Sequence, residues 1–189
     1  RPSDMPLDLG SRLARQGLDL VESVVGMDLD LAGWSPEVDF DDGSIRVADY
    51  DESTLRDYVE MIRTYWSVPE SEQHYLEKFN FELAGDRAPG SRLVAYDDGK
   101  AIGKMFLNTS EVPARVSIYG VAVKPEARGK GTATKLMNYA LARAKAEGAE
   151  RCVLHSSEMA HSLYRRMGFV DRCELQAYAT GPIFGTHQH

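Results

Sequence analysis

The stretch Val121-Ala-Val-Lys-Pro-Glu-Ala-Arg-Gly-Lys-Gly-Thr-Ala-Thr134 constrains this chain more than any other. An apolar run ends at Val123, and Lys124 to Ala127 make a turn. Arg128-Gly129-Lys130-Gly131-Thr132-Ala133 then opens a helical pattern. Ala133, Leu136, Met137, Ala140, Leu141 and Ala144 recur on one helical face until Gly148 ends it. A strand that feeds a glycine-rich turn at a helix start is a phosphate cradle. The first N–H groups of a helix lack an intrahelical partner, and the helix dipole favours an anion there. Glycines tolerate positive φ and let the backbone approach the phosphate.

The rest of the chain alternates strand and helix signals. Asp8 to Gln16 predicts a short helix capped by Gly17, and Leu18–Val25 and Met27–Leu31 predict strands on either side of Gly26. Residues 31–43 read as an acidic linker broken by Gly33, Pro36 and Gly43. A strand is expected over Ile45–Ala48, and helices over Asp51–Trp66 and Glu70–Ala84. A hairpin follows, with Leu93–Tyr96 and Ala101–Asn108 around Asp98-Gly99. Arg115–Val123 is a strand whose internal Gly120 predicts a bulge or a close ligand approach. After the cradle helix come a strand (Arg151–Leu154), a helix (Glu158–Met167) and closing strands at Phe169–Val170 and Cys173–Ala179. Leu13-Ala-Arg-Gln-Gly-Leu18 faintly echoes Tyr164-Arg-Arg-Met-Gly-Phe169.

Composition narrows the function. No apolar run approaches the roughly 18 residues of a membrane-spanning helix. The net charge of −7 is concentrated at the front: residues 1–52 hold 13 acidic and 4 basic side chains. An acidic chain without a basic patch argues against nucleic acid. Cys152 and Cys173 read as two buried free thiols in a reducing cytosol, so a cytoplasmic location is expected. His187-x-His189 reads as a chain end rather than a metal site, and no metal is expected.

Three kinds of phosphate loop can be compared. A Walker loop needs a serine or threonine after its lysine, but Gly131 follows Lys130. A dinucleotide fingerprint needs a third glycine where Thr134 stands, and an acid where the next strand ends in Leu154-His155. The pattern R-x-x-G-x-[GA] is met in full by Arg128 to Ala133.

With that pattern, Ile118 to Met137 resembles the core motif of the GNAT superfamily of acyl-CoA-dependent N-acyltransferases. Ser162-Leu-Tyr-Arg-Arg-Met-Gly-Phe169 resembles the family's second motif. The resemblance runs from about Ile45 to Ala179. It implies an α/β (α+β) fold with a mixed, mostly antiparallel central sheet flanked by helices and splayed at the strand before the cofactor-binding helix. It divides the chain into an N-terminal segment (1–43), a GNAT domain (44–180) and a tail (181–189). Residues 8–31 are then expected to be a degenerate half lobe beside the main sheet, or a dimerisation element.

The resemblance also implies roles. Acetyl-CoA would be the co-substrate. Val121, Ala122 and Val123 would hold its pantetheine arm, and Arg128, Gly129, Lys130, Gly131, Thr132 and Ala133 its pyrophosphate. Ser157 stands where the family often has a pantetheine-binding asparagine. Tyr164 would contact the cofactor and donate a proton to the departing thiolate. A backbone N–H near Val121 would meet the thioester oxygen. The family's glutamate base is replaced by Ser117, which leaves Glu111, His155 or a water chain as the base, with Glu158 a further candidate. The expected acceptor is a small-molecule primary amine. Acidic and aromatic residues in the helices before Ala84, such as Glu60, Glu72, Tyr58 and Phe79, would suit a cationic one. A catalytically silent CoA-binding module is the other reading these residues leave open.

Overall fold

The computed structural model describes residues 6–36, 39–40, 42–47, 51–82, 90–112 and 114–180. Its elements are α1 (Leu9–Arg15), β1 (Asp19–Asp30), β2 (Ile45–Val47), α2 (Glu52–Tyr65), α3 (Glu70–Glu82), β3 (Gly90–Asp97) and β4 (Lys100–Val112). They continue with β5 (Arg115–Val123), a 3-10 turn (Pro125–Ala127), α4 (Thr132–Ala146), β6 (Arg151–Ser156), α5 (Glu158–Arg166) and β7 (Val170–Ala179). The histidine pair of the tail lies outside the described residues. Among the described residues one seven-stranded sheet runs in the order β2-β3-β4-β5-β6-β1-β7. Of its strand pairs only β5–β6 is parallel.

The strand alternation sorts the sheet into two faces. Leu93, Ala95, Met105, Leu107, Val116 and Ile118 point to the face covered by α4, against its Leu136, Met137, Ala140, Leu141 and Ala144. Val94 and Tyr96 point the other way, against Leu55 and Tyr58 of α2. The helix α2 starts at Asp51, whose carboxylate accepts from the Ser53 N–H at 2.9 Å. Hydrogen bonds from the Thr54 and Ser53 hydroxyls, with this one, hold the carboxyl below the ordinary aspartate range.

The segment expected beside the main sheet is inside it. β1 is a single strand running through Gly26, with a register shift against β7 at Gly26/Met27. It pairs with β6 from Val25↔Ser156 to Asp30↔Arg151 and with β7 from Asp19↔Ala179 to Asp28↔Val170. Met27, Leu29 and Leu31 are core residues. The Asp28 carboxylate accepts from Arg151 of β6 at 2.7 Å and Arg172 of β7 at 2.8 Å, matching β1 in charge to both neighbours. The faint echo in the sequence thus corresponds to neighbours in space. α1 with β1 and α5 with β7 are glycine-terminated helix–strand units whose strands pair antiparallel.

Two expectations are corrected by β7. It is one strand over Val170–Ala179, not two. It is also the sheet's edge, so Cys173 is exposed while Cys152 is buried.

Candidate active site

The cradle is assembled between β5 and α4. The Ala127 N–H closes the turn onto the Lys124 carbonyl at 2.9 Å, and the Arg128 N–H onto the Pro125 carbonyl at 3.2 Å. The Arg128 N–H is therefore already used, unlike the expectation that all amides from Arg128 onward face a phosphate. The amides of Gly129, Lys130 and Gly131 have no backbone acceptor among the described residues. Those of Thr132 and Ala133 belong to the unpaired first turn of α4. Gly129 and Gly131 hold φ of +73° and +82°, and a Cβ built on either meets nothing within 4 Å. This open, amide-lined concavity fits a pyrophosphate. Lys130 adds a cation with no ion-pair partner among the described residues, whereas Lys135 is tied to Asp42 at 2.6 Å. Arg128 reaches back to the Val123 carbonyl, 3.2 Å from its Nε.

The sheet opens next to the cradle. β5 and β6 pair from Arg115↔Arg151 to Ile118↔Leu154 and no further. Beyond Ile118, β5 stays with β4 through Lys104↔Ala122 and Gly103↔Val123. The Lys124 N–H also bonds the Ile102 carbonyl at 2.9 Å. Since alternate residues of an antiparallel strand turn their backbone groups to opposite sides, Val121 and Val123 present theirs to the open side. At the mouth of the opening β5 carries one extra residue relative to β4, between Ala122 and Tyr119. This is the bulge expected from Gly120, whose φ is +57°.

Tyr164 of α5 is 5% exposed, with its ring 5.8 Å from that of Phe169. Its hydroxyl has no hydrogen-bond partner among the described residues. Burial pushes its pKa up to about 12, and the Tyr65 phenol at the end of α2 adds to the shift. Tyr65 in turn feels the Arg128 charge, which links Tyr164 electrostatically to the cradle side. Ser157 is the N-cap of α5, just past the last paired residues of β6, and its hydroxyl caps nothing.

The candidate bases separate. His155 is exposed on β6 at the start of the opening, its ring 6.3 Å from that of Tyr119. Glu111 lies near the hairpin end of β4, where Val112 pairs with Arg115. Its side chain is outside the described residues, but the backbone places it about 17 Å along the ladder from Gly120, five residues at ~3.4 Å each. The structure therefore brings His155, and not Glu111, to the opening. Glu158 is exposed in the first turn of α5. Ser117, in place of the family glutamate, accepts from the Asn108 Nδ2 at 3.3 Å.

On the α2–α3 side of the bulge is a cleft of about 320 Å³. Tyr58, Ile62, Leu76, Phe79, Phe106 and Tyr119 line it, together with Asn80, Arg92, Lys104 and Gly120. The aromatic residues Tyr58 and Phe79 thus belong to it, but Glu60 and Glu72 do not. Its polar lining is cationic, contrary to the expectation of an acidic one. Lys104 and Arg92 carry little sequence signal, since a charged residue in a strand reads as a solvated face. Only the packing of α2 and α3 over that face buries them.

The sequence pattern of the Acetyltransferase (GNAT) family matches residues 55–169, more than half of the chain. N-alpha-acetyltransferase 30 of Schizosaccharomyces pombe is 28% identical, with 71% of this chain and 89% of that protein covered. In fold the chain is similar to a GCN5-related N-acetyltransferase from Sphaerobacter thermophilus, with a TM-score of 0.66, 18% identity and 89% of this chain covered. This chain spans only 54% of that protein's length. It is also similar to a Clostridium acetobutylicum protein solved with acetyl-CoA and described as a predicted acetyltransferase, with a TM-score of 0.55 and 18% identity. That match covers 68% of this chain and 90% of the other. The cradle, the opened sheet and the family match converge: this chain belongs to the Acetyltransferase (GNAT) family, whose acyl donor is acetyl-CoA.

Proposed function

We propose that the enzyme transfers the acetyl group of acetyl-CoA to a primary amine of a small molecule, by direct attack in a ternary complex. The observation that carries this reading is the cleft of about 320 Å³ set against the Gly120 bulge. That volume lies at the lower end of the ~300–1,000 Å³ range of small-molecule sites. In this reading the amides of Gly129 to Ala133, with Lys130, hold the pyrophosphate. Val121 and Val123 hold the pantetheine arm, with Ala122 between them and Ser157 across the opening. Arg128 and Lys130 thus serve binding rather than chemistry. A cytosolic location completes the reading.

The chemistry forms an N–C bond, breaks the C–S bond, removes a proton from nitrogen and adds one to sulfur. The Val121 N–H, at the bulge, would donate to the thioester oxygen as charge develops there. Tyr164 would donate to sulfur. Full transfer to an ordinary thiolate, with a thiol pKa near ~8.5, runs uphill from a phenol at about 12. Donation must therefore be coupled to loss of the nitrogen proton, through His155 or a water chain. Two outcomes are expected. Tyr164→Phe lowers kcat by about 100-fold or more, with acetyl-CoA affinity kept within a factor of about two. Unchanged turnover would remove Tyr164 from the mechanism. In the wild type, burial keeps the phenol protonated, so kcat should show no alkaline loss near ~10, where an ordinary tyrosine ionises. A fall centred there would contradict the assigned role.

The direct test is CoA release from acetyl-CoA across a panel of small amines and peptides with free N-termini. Turnover confined to the peptides would replace the small-molecule reading with the activity named for the S. pombe relative.

A further inference from the structure

We propose that the acceptor is an amine with a carboxylate on the adjacent carbon, a free α-amino acid with an apolar side chain, and that Lys104 with Arg92 receives its carboxylate. This rests on the acetyl-transfer reading above and names the substrate class of the same site.

Lys104 is 2% exposed on β4 and forms no hydrogen bond or ion pair among the described residues. Its neighbours are rings: Trp66 lies 3.9 Å and Tyr58 5.2 Å from its Nζ. Buried charges are normally paired with an anion. A cation held only by aromatic faces, in a cleft open to a ligand, is a site for an anionic group. Arg92 of β3 lines the same cleft, 3% exposed, with its Nε on the Asn80 Oδ1 at 3.1 Å and its guanidinium over Phe106. No acidic side chain occurs among the described lining residues. The second ammonium of a diamine would meet the Lys104 charge there, whereas a carboxylate neutralises it.

The position of Lys104 specifies the rest of the molecule. A Cβ added at Gly120 would stand 2.9 Å from the Lys104 Nζ. Gly120 directly precedes Val121, where the thioester oxygen is expected. An anion on Lys104 and an amine facing the thioester are therefore near neighbours, and an α-amino acid carries both groups on one carbon. Its side chain then meets Ile62, Leu76 and the partly open face of Phe79. A peptide N-terminus has an amide in place of that carboxylate and leaves the Lys104 charge unmatched.

Protonation gives a second signature. Burial brings Lys104 down to about 7. The titratable or charged groups facing it across the cleft are Arg92 from β3, Tyr58 from α2 and Tyr119 from β5; α3 contributes none. A carboxylate favours the ammonium form, so binding above pH 7 should take up a proton. N-acetyl-phenylalanine carries the carboxylate without a titrating amine and isolates this effect.

The experiment compares phenylalanine with phenylalanine amide as acceptors, in wild type, Lys104→Met and Lys104→Arg. Wild type is expected to favour the acid by about 10-fold or more in kcat/KM, the scale of a hydrogen bond to a charged group. Lys104→Met should collapse that ratio towards one, and Lys104→Arg should keep most of it. Calorimetry of wild type at pH 8 in buffers of different ionisation enthalpy should show uptake approaching one proton with N-acetyl-phenylalanine. Equal use of the amide, preference for peptide N-termini, or a ratio unmoved by Lys104→Met would overturn the proposal while leaving acetyl transfer intact. Absence of CoA release with every amine would instead remove the acetyl-transfer reading. Calorimetry still decides the anion site in that event: binding of N-acetyl-phenylalanine no tighter than its amide, or without proton uptake, overturns it. The same wild-type measurement decides if a Lys104 variant fails to fold.

Discussion

A variant that begins at residue 32 is expected to lose its cooperative fold. β1 is bonded on one side to β6 and on the other to β7, so its removal leaves β7 without a partner strand and β6 bonded on its β5 side alone. Met27, Leu29 and Leu31 leave the core with it. Burial of each such side chain contributes about 1.5–3 kcal/mol, so the three together approach the ~5–15 kcal/mol that separates a typical domain from its unfolded state. Arg151 and Arg172 also lose their common partner Asp28. Urea unfolding followed by tryptophan fluorescence and near-ultraviolet circular dichroism checks this. The expected result is a broad, non-cooperative transition or an insoluble chain. A sharp transition at the wild-type midpoint would show that β1 is dispensable. The family match, residues 55–169, omits β1, β2 and β7, so a chain cut to those limits should fail in the same way.

Gly131→Glu should abolish acetyl-CoA binding without unfolding the protein. Gly131 is the N-cap of α4, at φ +82°, and space lies open beyond it. A Cβ there meets no atom within 4 Å but adopts a left-handed backbone, at a cost of about 1–2 kcal/mol. The glutamate carboxylate then stands where the unpaired amides and Lys130 favour an anion. Opposing like charges cost several kcal/mol, which predicts at least ~100-fold weaker acetyl-CoA binding by calorimetry. Gly131→Ala carries the same backbone strain without the charge. It should keep affinity within about tenfold, which separates electrostatics from strain. Retained affinity in the glutamate variant would place the pyrophosphate elsewhere.

Local signals carried most of the fold and the cradle. α2 and α4 are legible because their apolar residues recur at helical spacing and a capping residue or glycine marks their ends. The β3–β4 hairpin is legible from Asp98-Gly99, and the bulge from one glycine inside an apolar strand. The place of β1 is not legible, because its partners lie about 130 and 150 residues away and nothing near Gly26 encodes their register. Gly26 reads as a strand break, yet β1 passes through it with only a shift against β7. The exposure of Cys173 follows from the edge position of β7, a property of topology rather than of nearby residues.

The site divides along the same line. The proposed donor half is a contiguous phrase, Val121 to Ala133, with Tyr164 in a second short motif. The proposed acceptor cleft is gathered from β3, β4, β5, α2 and α3. Lys104 stands between Gly103 and Met105 in a strand where alternation alone would send it to solvent. Its burial depends on Tyr58 and Trp66, about 40 residues earlier in the chain. Glu111 illustrates the converse, an acid of suitable chemistry that the β4 register carries away from the bulge.

In the proposed reaction the cradle and the cleft act together, and acetyl passes from acetyl-CoA to a small amine. The most direct measurement is CoA-thiol release by the wild-type protein with acetyl-CoA and each amine in turn, with the product identified by mass spectrometry. Amine-dependent release matched one for one by N-acetylated small amine is the predicted result. Acetyl-CoA that binds but gives no release above hydrolysis with any amine would contradict it.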